Sequence, residues 1–156
     1  MRLLFKQKFT FGFDRFDIYD EAGDVAYSVQ SRFAFGRKLE VYDRSNQLAG
    51  VLIGKVFTFL PTFEIHIGGE RIGSIKKKFT LFKPEFEVDC NGWSINGDFF
   101  GWNYELTDAD GIPVGRVIRE LAWTDTYTLD IYNDVDVLTV LMIIIAIDAE
   151  KDNRSE

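Results

Sequence analysis

The sequence is short of cysteine, histidine and proline, and each shortage removes options. One cysteine in 156 residues, Cys90, leaves no partner for an internal disulfide and suits a reducing compartment. One histidine, His66, beside that one cysteine cannot make a zinc site of the usual composition. The three prolines, Pro61, Pro84 and Pro113, fall between apolar runs, where a missing N–H does no harm. A Gly-rich phosphate loop and a nucleophile elbow are both missing. Asp108-Ala-Asp-Gly111 has the opening of a calcium loop, but the twelfth position is Arg119 where a glutamate is needed. Cys90 stands next to Asp89, which disfavours its thiolate. Carboxylate pairs such as Asp108 and Asp110 sit in what read as solvated turns. Asn153-Arg-Ser155 fits a glycosylation pattern without a secretory signal to accompany it, since the opening Met-Arg-Leu-Leu-Phe-Lys meets a charge after few apolar residues. The expectation is a cytoplasmic, non-enzymatic chain without cofactor or metal.

Aromatics, by contrast, are plentiful: 15 residues are phenylalanine. They mark an internal repeat. Phe35-Gly-Arg-Lys-Leu39-Glu-Val-Tyr-Asp43, Phe59-Leu-Pro-Thr-Phe63-Glu-Ile-His-Ile67 and Phe82-Lys-Pro-Glu-Phe86-Glu-Val-Asp-Cys90 align, with weaker copies at 13–20, 100–108 and 123–132. The anchors Phe16, Leu39, Phe63, Phe86, Tyr104 and Tyr127 recur at a nearly constant spacing. Within each copy apolar and polar residues alternate, as in Tyr127-Thr-Leu-Asp-Ile131, which is the period of a half-buried strand. A turn of Asp, Asn and Gly follows (Asp20–Gly23, Asp43–Asn46, Gly68-Gly69, Asn91-Gly92, Asp108–Gly111), and then a return strand. Six hairpins predict about twelve antiparallel strands, and a sheet that long should curl and close into a barrel.

The last copy has no ordinary return strand. Asn133–Asp148 is apolar on every side, with Asn133 or Asp134 placed to cap a helix start. Its β-branched residues make a strand the competitor; its length favours a helix over about 134–149. About 15 helical residues reach roughly 22 Å, short of a bilayer's ~30 Å core, and the acidic flanks Asp134, Asp136, Asp148 and Glu150 are wrong for anionic lipid. The expectation is a buried helix, no transmembrane span, one domain over 1–150, and a disordered tail at 151–156.

The K-x-F-x-F signature, an aromatic strand, an Asp-turn and a terminal apolar helix together resemble the LURP-one-related family, and a small prokaryotic member in particular. The residues that carry it are Lys78–Phe86, Gly97–Glu105, Asp125–Asp130 and Val140–Asp148. That family is similar in fold to the tubby C-terminal domain and to phospholipid scramblases, which implies a twelve-stranded barrel threaded by a central hydrophobic helix. Tubby-like domains bind phosphoinositides and scramblases move lipids, so the resemblance turns attention to anionic lipid. It brings no catalytic motif.

Charge is unevenly spread. Residues 1–83 hold 14 basic against 9 acidic side chains, and residues 84–156 hold 4 against 16. In the repeat, Lys8, Arg32 and Lys78 precede the first Phe of the signature, with Lys55 and Lys77 one position earlier. Equivalent positions of a closed repeat lie at one height. Arg37, Lys38, Lys55, Lys76, Lys77, Lys78 and Lys83 should therefore gather at one pole, opposite the Asp-turns. The function expected is a binding domain whose basic rim takes an anionic group, a lipid headgroup or phosphate, with a protein partner as the remaining option and no nucleic acid. The alternative is a scramblase-like protein that releases its C-terminal segment into lipid.

Overall fold

The computed structural model describes residues 1–6, 15–34, 36–55, 59–78, 80–83, 85–99, 101–119 and 126–152. Twelve antiparallel strands run in order: β1 (Arg2–Lys6), β2 (Arg15–Asp20), β3 (Val25–Ala34), β4 (Gly36–Tyr42), β5 (Leu48–Gly54), β6 (Thr62–Ile67), β7 (Glu70–Lys78), β8 (Glu85–Asp89), β9 (Ser94–Asp98), β10 (Asn103–Thr107), β11 (Pro113–Arg119) and β12 (Thr126–Ile131). A 3-10 turn, Asp134–Asp136, leads into α1 (Val137–Asp152). The expected mainly-β barrel around one C-terminal helix is what forms.

Consecutive strands pair, with two departures. β1 pairs with β12 from Arg2↔Asp130 to Lys6↔Thr126, bringing the first strand against the last and nearly closing the barrel. The missing sixth return strand is thus supplied from the other end of the chain. Leu3 and Phe5 are buried on that strand, and the Met1 ammonium donates to the Ile131 carbonyl at 2.9 Å. The second departure corrects the hairpin expected at Asn91-Gly92. β8 and β9 are joined by a tight turn, yet stand at the two ends of the hydrogen-bonded order.

Period-two alternation puts the core where the sequence pattern requires. Leu39 and Val41, Phe63 and Ile65, Tyr104 and Leu106, and Tyr127, Leu129 and Ile131 are all buried. Their common partner is α1. Every residue from Val140 to Ile147 is 2 % exposed or less, so the helix has no solvent face. Such a helix cannot face water, and the barrel encloses it. Asn133 caps the 3-10 turn that leads into it, the side chain accepting from Val135 N–H at 3.1 Å. At its other end the Arg37 guanidinium donates to the Ala149 carbonyl at 2.8 Å, which satisfies an orphan acceptor and suits the helix dipole. The helix continues through Asp152 and so takes the first two residues of the expected tail, whose residues 153–156 lie outside those described.

Two glycines let the helix approach the wall. A Cβ on Gly115 would lie 2.8 Å from Val140 Cγ1, and one on Gly50 would lie 2.9 Å from Met142 Cε. Val140 is β-branched and has little rotamer freedom to move aside. We expect Gly115→Ala to destabilise by about 1–3 kcal/mol through overpacking. Combining it with Val140→Ala should cost about 1 kcal/mol less than the sum of the single changes in denaturant melts, because the two share one contact. Additive effects would show that the contact is not made. Ile144→Asp buries an unpaired charge and should abolish folding; an unchanged melting temperature would mean the helix is not core.

Candidate functional site

The antiparallel order sends the turns after β2, β4, β6, β8 and β10 to one end of the barrel and the other connections to the opposite end. At the turn pole one device recurs three times. Asp20 Oδ1 accepts from Ala22 and Asp24 N–H at 3.0 and 2.9 Å. Asp43 does the same for Ser45 and Gln47, and Asp108 for Asp110 and Ile112. The aspartates of these turns are backbone acceptors that hold the bend, so Asp108-Ala-Asp-Gly111 is a turn of the same kind. Arg44 bridges two of them by pairing with Asp20 at 2.8 Å, and this hydrogen bond, more than the backbone ones, holds the Asp20 carboxyl below its usual range. Among the described residues no three His, Cys, Asp or Glu side chains converge as a metal site.

The opposite pole gathers some of the expected basic residues and disperses others. Lys76, Lys78 and Lys83 are exposed at the end of β7 and in the β7–β8 connection. Lys55 and Lys76 line one shallow groove of about 500 Å³, which also holds Phe59, Glu64 and Asp89. Lys55 pairs there with Glu64 at 2.9 Å. Arg37, at the start of β4, turns inward: it shares the parity of Leu39 and Val41, and its guanidinium bonds to the helix end. Lys77, half-buried on the inward parity of Ile75, is likewise not part of an outer belt. Lys38 lies opposite Ile53 on the barrel wall, away from the lysines of β7. Arg32 is paired with Glu40 at 2.9 Å, and Lys8 lies outside the described residues. The strand period explains the split, since Lys76-Lys77-Lys78 cannot all face one way.

His66 lies on β6 at 3.4 Å from Glu64, a strand side chain among charged neighbours. Cys90 is buried, and burial first, then Asp89, pushes its thiol up. Neither has the setting of a nucleophile.

The charge pattern missed the apolar part of this pole. Phe59 is 90 % exposed and Leu81 and Phe82 are each 93 % exposed. All three sit in the β5–β6 and β7–β8 connections, beside Lys55, Lys78 and Lys83. The signal was present in the run Leu81-Phe82-Lys83-Pro84, but repeat alignment alone reads such phenylalanines as core.

Residues 1–148 match the LURP-one-related family across nearly the whole chain. The chain belongs to that family. It is 33% identical over 149 residues to protein YxjI of Bacillus subtilis, which spans 95% of this chain and 92% of YxjI. Its fold is similar to the X-ray structure of a protein from Arabidopsis thaliana, with a TM-score of 0.68 at 14% identity, covering 96% of this chain and 90% of that one. The same architecture thus recurs where little sequence is shared, as expected when an alternating pattern and one apolar helix carry the fold. No helix among the described residues is long and apolar enough to cross a membrane.

Glu64 makes the pole's electrostatics measurable. Lys55, ahead of His66 and Arg71, holds its carboxyl below the usual range despite partial burial. A carboxylate depressed in the folded state contributes stability above its unfolded pKa and loses it as pH falls through the folded one. Glu64→Gln should therefore destabilise by about 1 kcal/mol or less at neutral pH, a difference that fades in paired melts as the pH falls below the usual glutamate range. A difference that persists at low pH would show that packing, not charge, sets the effect.

Proposed function

We propose that this chain is a non-enzymatic binding domain that docks on an anionic lipid surface through the pole formed by the β5–β6 and β7–β8 connections. The observation that carries the reading is the pairing of Leu81 and Phe82, each 93 % exposed, with Lys78 and Lys83 on either side. Large apolar side chains held this far into water need a function, and rings flanked by ammonium groups fit the boundary between headgroups and acyl chains. Burying one such side chain contributes about 1.5–3 kcal/mol, and each lysine near an anionic surface about 1 kcal/mol. Phe59 with Lys55 adds a second contact from the neighbouring connection. The net charge of −7 does not oppose this, because local potential guides encounter.

Co-sedimentation with phosphatidylcholine vesicles, with and without phosphatidylserine, tests the reading. The protein should pellet only with the anionic vesicles, and salt should release it. Exchanging Lys76, Lys78 and Lys83 for glutamate should abolish pelleting. Leu81→Ser with Phe82→Ser should weaken it about tenfold at unchanged charge, the effect of losing roughly 1.4 kcal/mol of apolar burial. A wild-type protein that stays in the supernatant at low ionic strength would end the lipid reading.

A further inference from the structure

The turn pole carries a group of large apolar side chains where β1 and β11 begin and β12 ends. Met1, Ile112 and Tyr132 are 56, 59 and 56 % exposed, and Val135 is 88 % exposed. The backbone gathers them. Met1 and Ile131 exchange hydrogen bonds at 2.9 and 2.8 Å, and Tyr132 N–H donates at 3.1 Å to the carbonyl of Val114, close to Ile112 in the chain. Val135 follows in the 3-10 turn, whose bend Asn133 fixes. Exposed apolar residues scattered singly need no explanation, but a group brought together at one end of a barrel does.

Tasks inside the fold do not account for it. The core below is already supplied by their chain neighbours, since Leu3, Val114, Ile131 and Val137 are all buried. Asp134 and Asp136 suit the positive end of the α1 dipole, which explains two carboxylates but not the exposed valine between them.

The uncommitted charges around the group are of one sign. Asp110 lies in the turn before Ile112, and Asp134 and Asp136 flank Val135. Glu21 lies in the β2–β3 turn beside the start of β1, where Leu3 pairs with Asp20. None of these four carboxylates is in an ion pair among the described residues. The cations nearby are engaged: Arg2 with Asp130 at 2.7 Å, Arg44 with Asp20 at 2.8 Å, and the Met1 ammonium with the Ile131 carbonyl. Arg116 stands further along the wall, opposite Asp130 and 3.4 Å from Asn103. Residues 20–24, 108–112 and 132–136 contain no lysine or arginine.

We infer that this pole docks a basic amphipathic helix of another protein. Strand addition is closed here, because β1 pairs with β2 and β12 on its two sides and β11 with β10 and β12. Recognition therefore runs through side chains, and a helix presents them as an apolar stripe bordered by cations. The stripe covers Met1, Ile112, Tyr132 and Val135. Lysines or arginines on its borders meet Asp110, Asp134, Asp136 and Glu21, which selects a cationic partner and rejects an acidic one. The surface lies at the opposite end of the barrel from Leu81, Phe82 and Lys83, so the inference does not rest on the lipid reading.

The test uses the whole protein without vesicles and a capped synthetic peptide of leucine and lysine, about 14 residues long, with leucines at helical spacing. In NMR titrations the amides of Ile112, Tyr132 and Val135 should shift, those of Phe59, Leu81 and Phe82 should not, and the peptide should gain helical circular dichroism. A peptide of the same composition scrambled to destroy the stripe should bind about tenfold more weakly or worse. Tyr132→Ser with Val135→Ser should weaken binding about tenfold, the effect of lost apolar burial. Asp110→Asn with Asp134→Asn should also weaken it about tenfold and flatten its salt dependence. All four side chains are exposed, so both double variants should keep the wild-type melting transition. The inference is overturned by no binding at low ionic strength, by shifts centred elsewhere, by equal binding of the scrambled peptide, or by wild-type affinity in either double variant. Shifts at the same residues that grow with protein concentration alone would also overturn it, and would assign the pole to a second copy.

Discussion

A helix whose central residues, Val140–Ile147, have no polar face is the constraint on which this molecule depends. Water cannot solvate it and a single sheet could cover only one side, so the strands must surround it. Apolar burial supplies the driving force, at roughly 25 cal/mol per Å² removed from water. Close packing then dictates detail: Gly50 and Gly115 thin the wall where Met142 and Val140 approach it. Enclosure also gives Arg37 its place. A helix that ends inside a barrel leaves carbonyls without water, and an inward arginine on β4 answers one of them.

Enclosure bears equally on function. A segment whose central eight residues are almost wholly buried is unavailable to lipid unless the core opens. The surface left for recognition is therefore the rim, where connections project beyond the sheet. Exposed Phe59, Leu81 and Phe82 stand among lysines at one rim, while aspartates tie the turns at the other. The two ends differ for a physical reason. The aspartates are fixed by local backbone bonds, so their charge is committed to the turn, whereas Lys78 and Lys83 are in no ion pair among the described residues.

Much of the architecture was legible because it is periodic. Alternation at Phe63-Glu-Ile-His-Ile67 and Tyr127–Ile131, recurrent Asp and Asn-Gly turns, and one apolar run were enough to predict a barrel of about twelve strands around a helix. What escaped the pattern was non-local. Nothing in Arg2–Lys6 announces that it replaces the absent partner of β12, because that pairing joins residues more than a hundred positions apart. The split of Lys76-Lys77-Lys78 was readable from strand period, but the capture of Arg37 by Ala149 depends on where the helix ends in space. The failure of β8 and β9 to pair had a local clue in Asn96-Gly97, a glycine inside an expected strand, which marks a kink as readily as a weak spot.

The helix is the structural centre of the barrel rather than a detachable segment. Hydrogen exchange of the amides from Val140 to Ile147 tests this most directly. If the barrel is built around the helix, these amides exchange only through global unfolding, and their opening free energy equals the unfolding free energy from denaturant melts. Exchange at a distinctly lower free energy than the amides of β4, β6 and β12 would show that the helix leaves while the barrel stands, and would contradict the account.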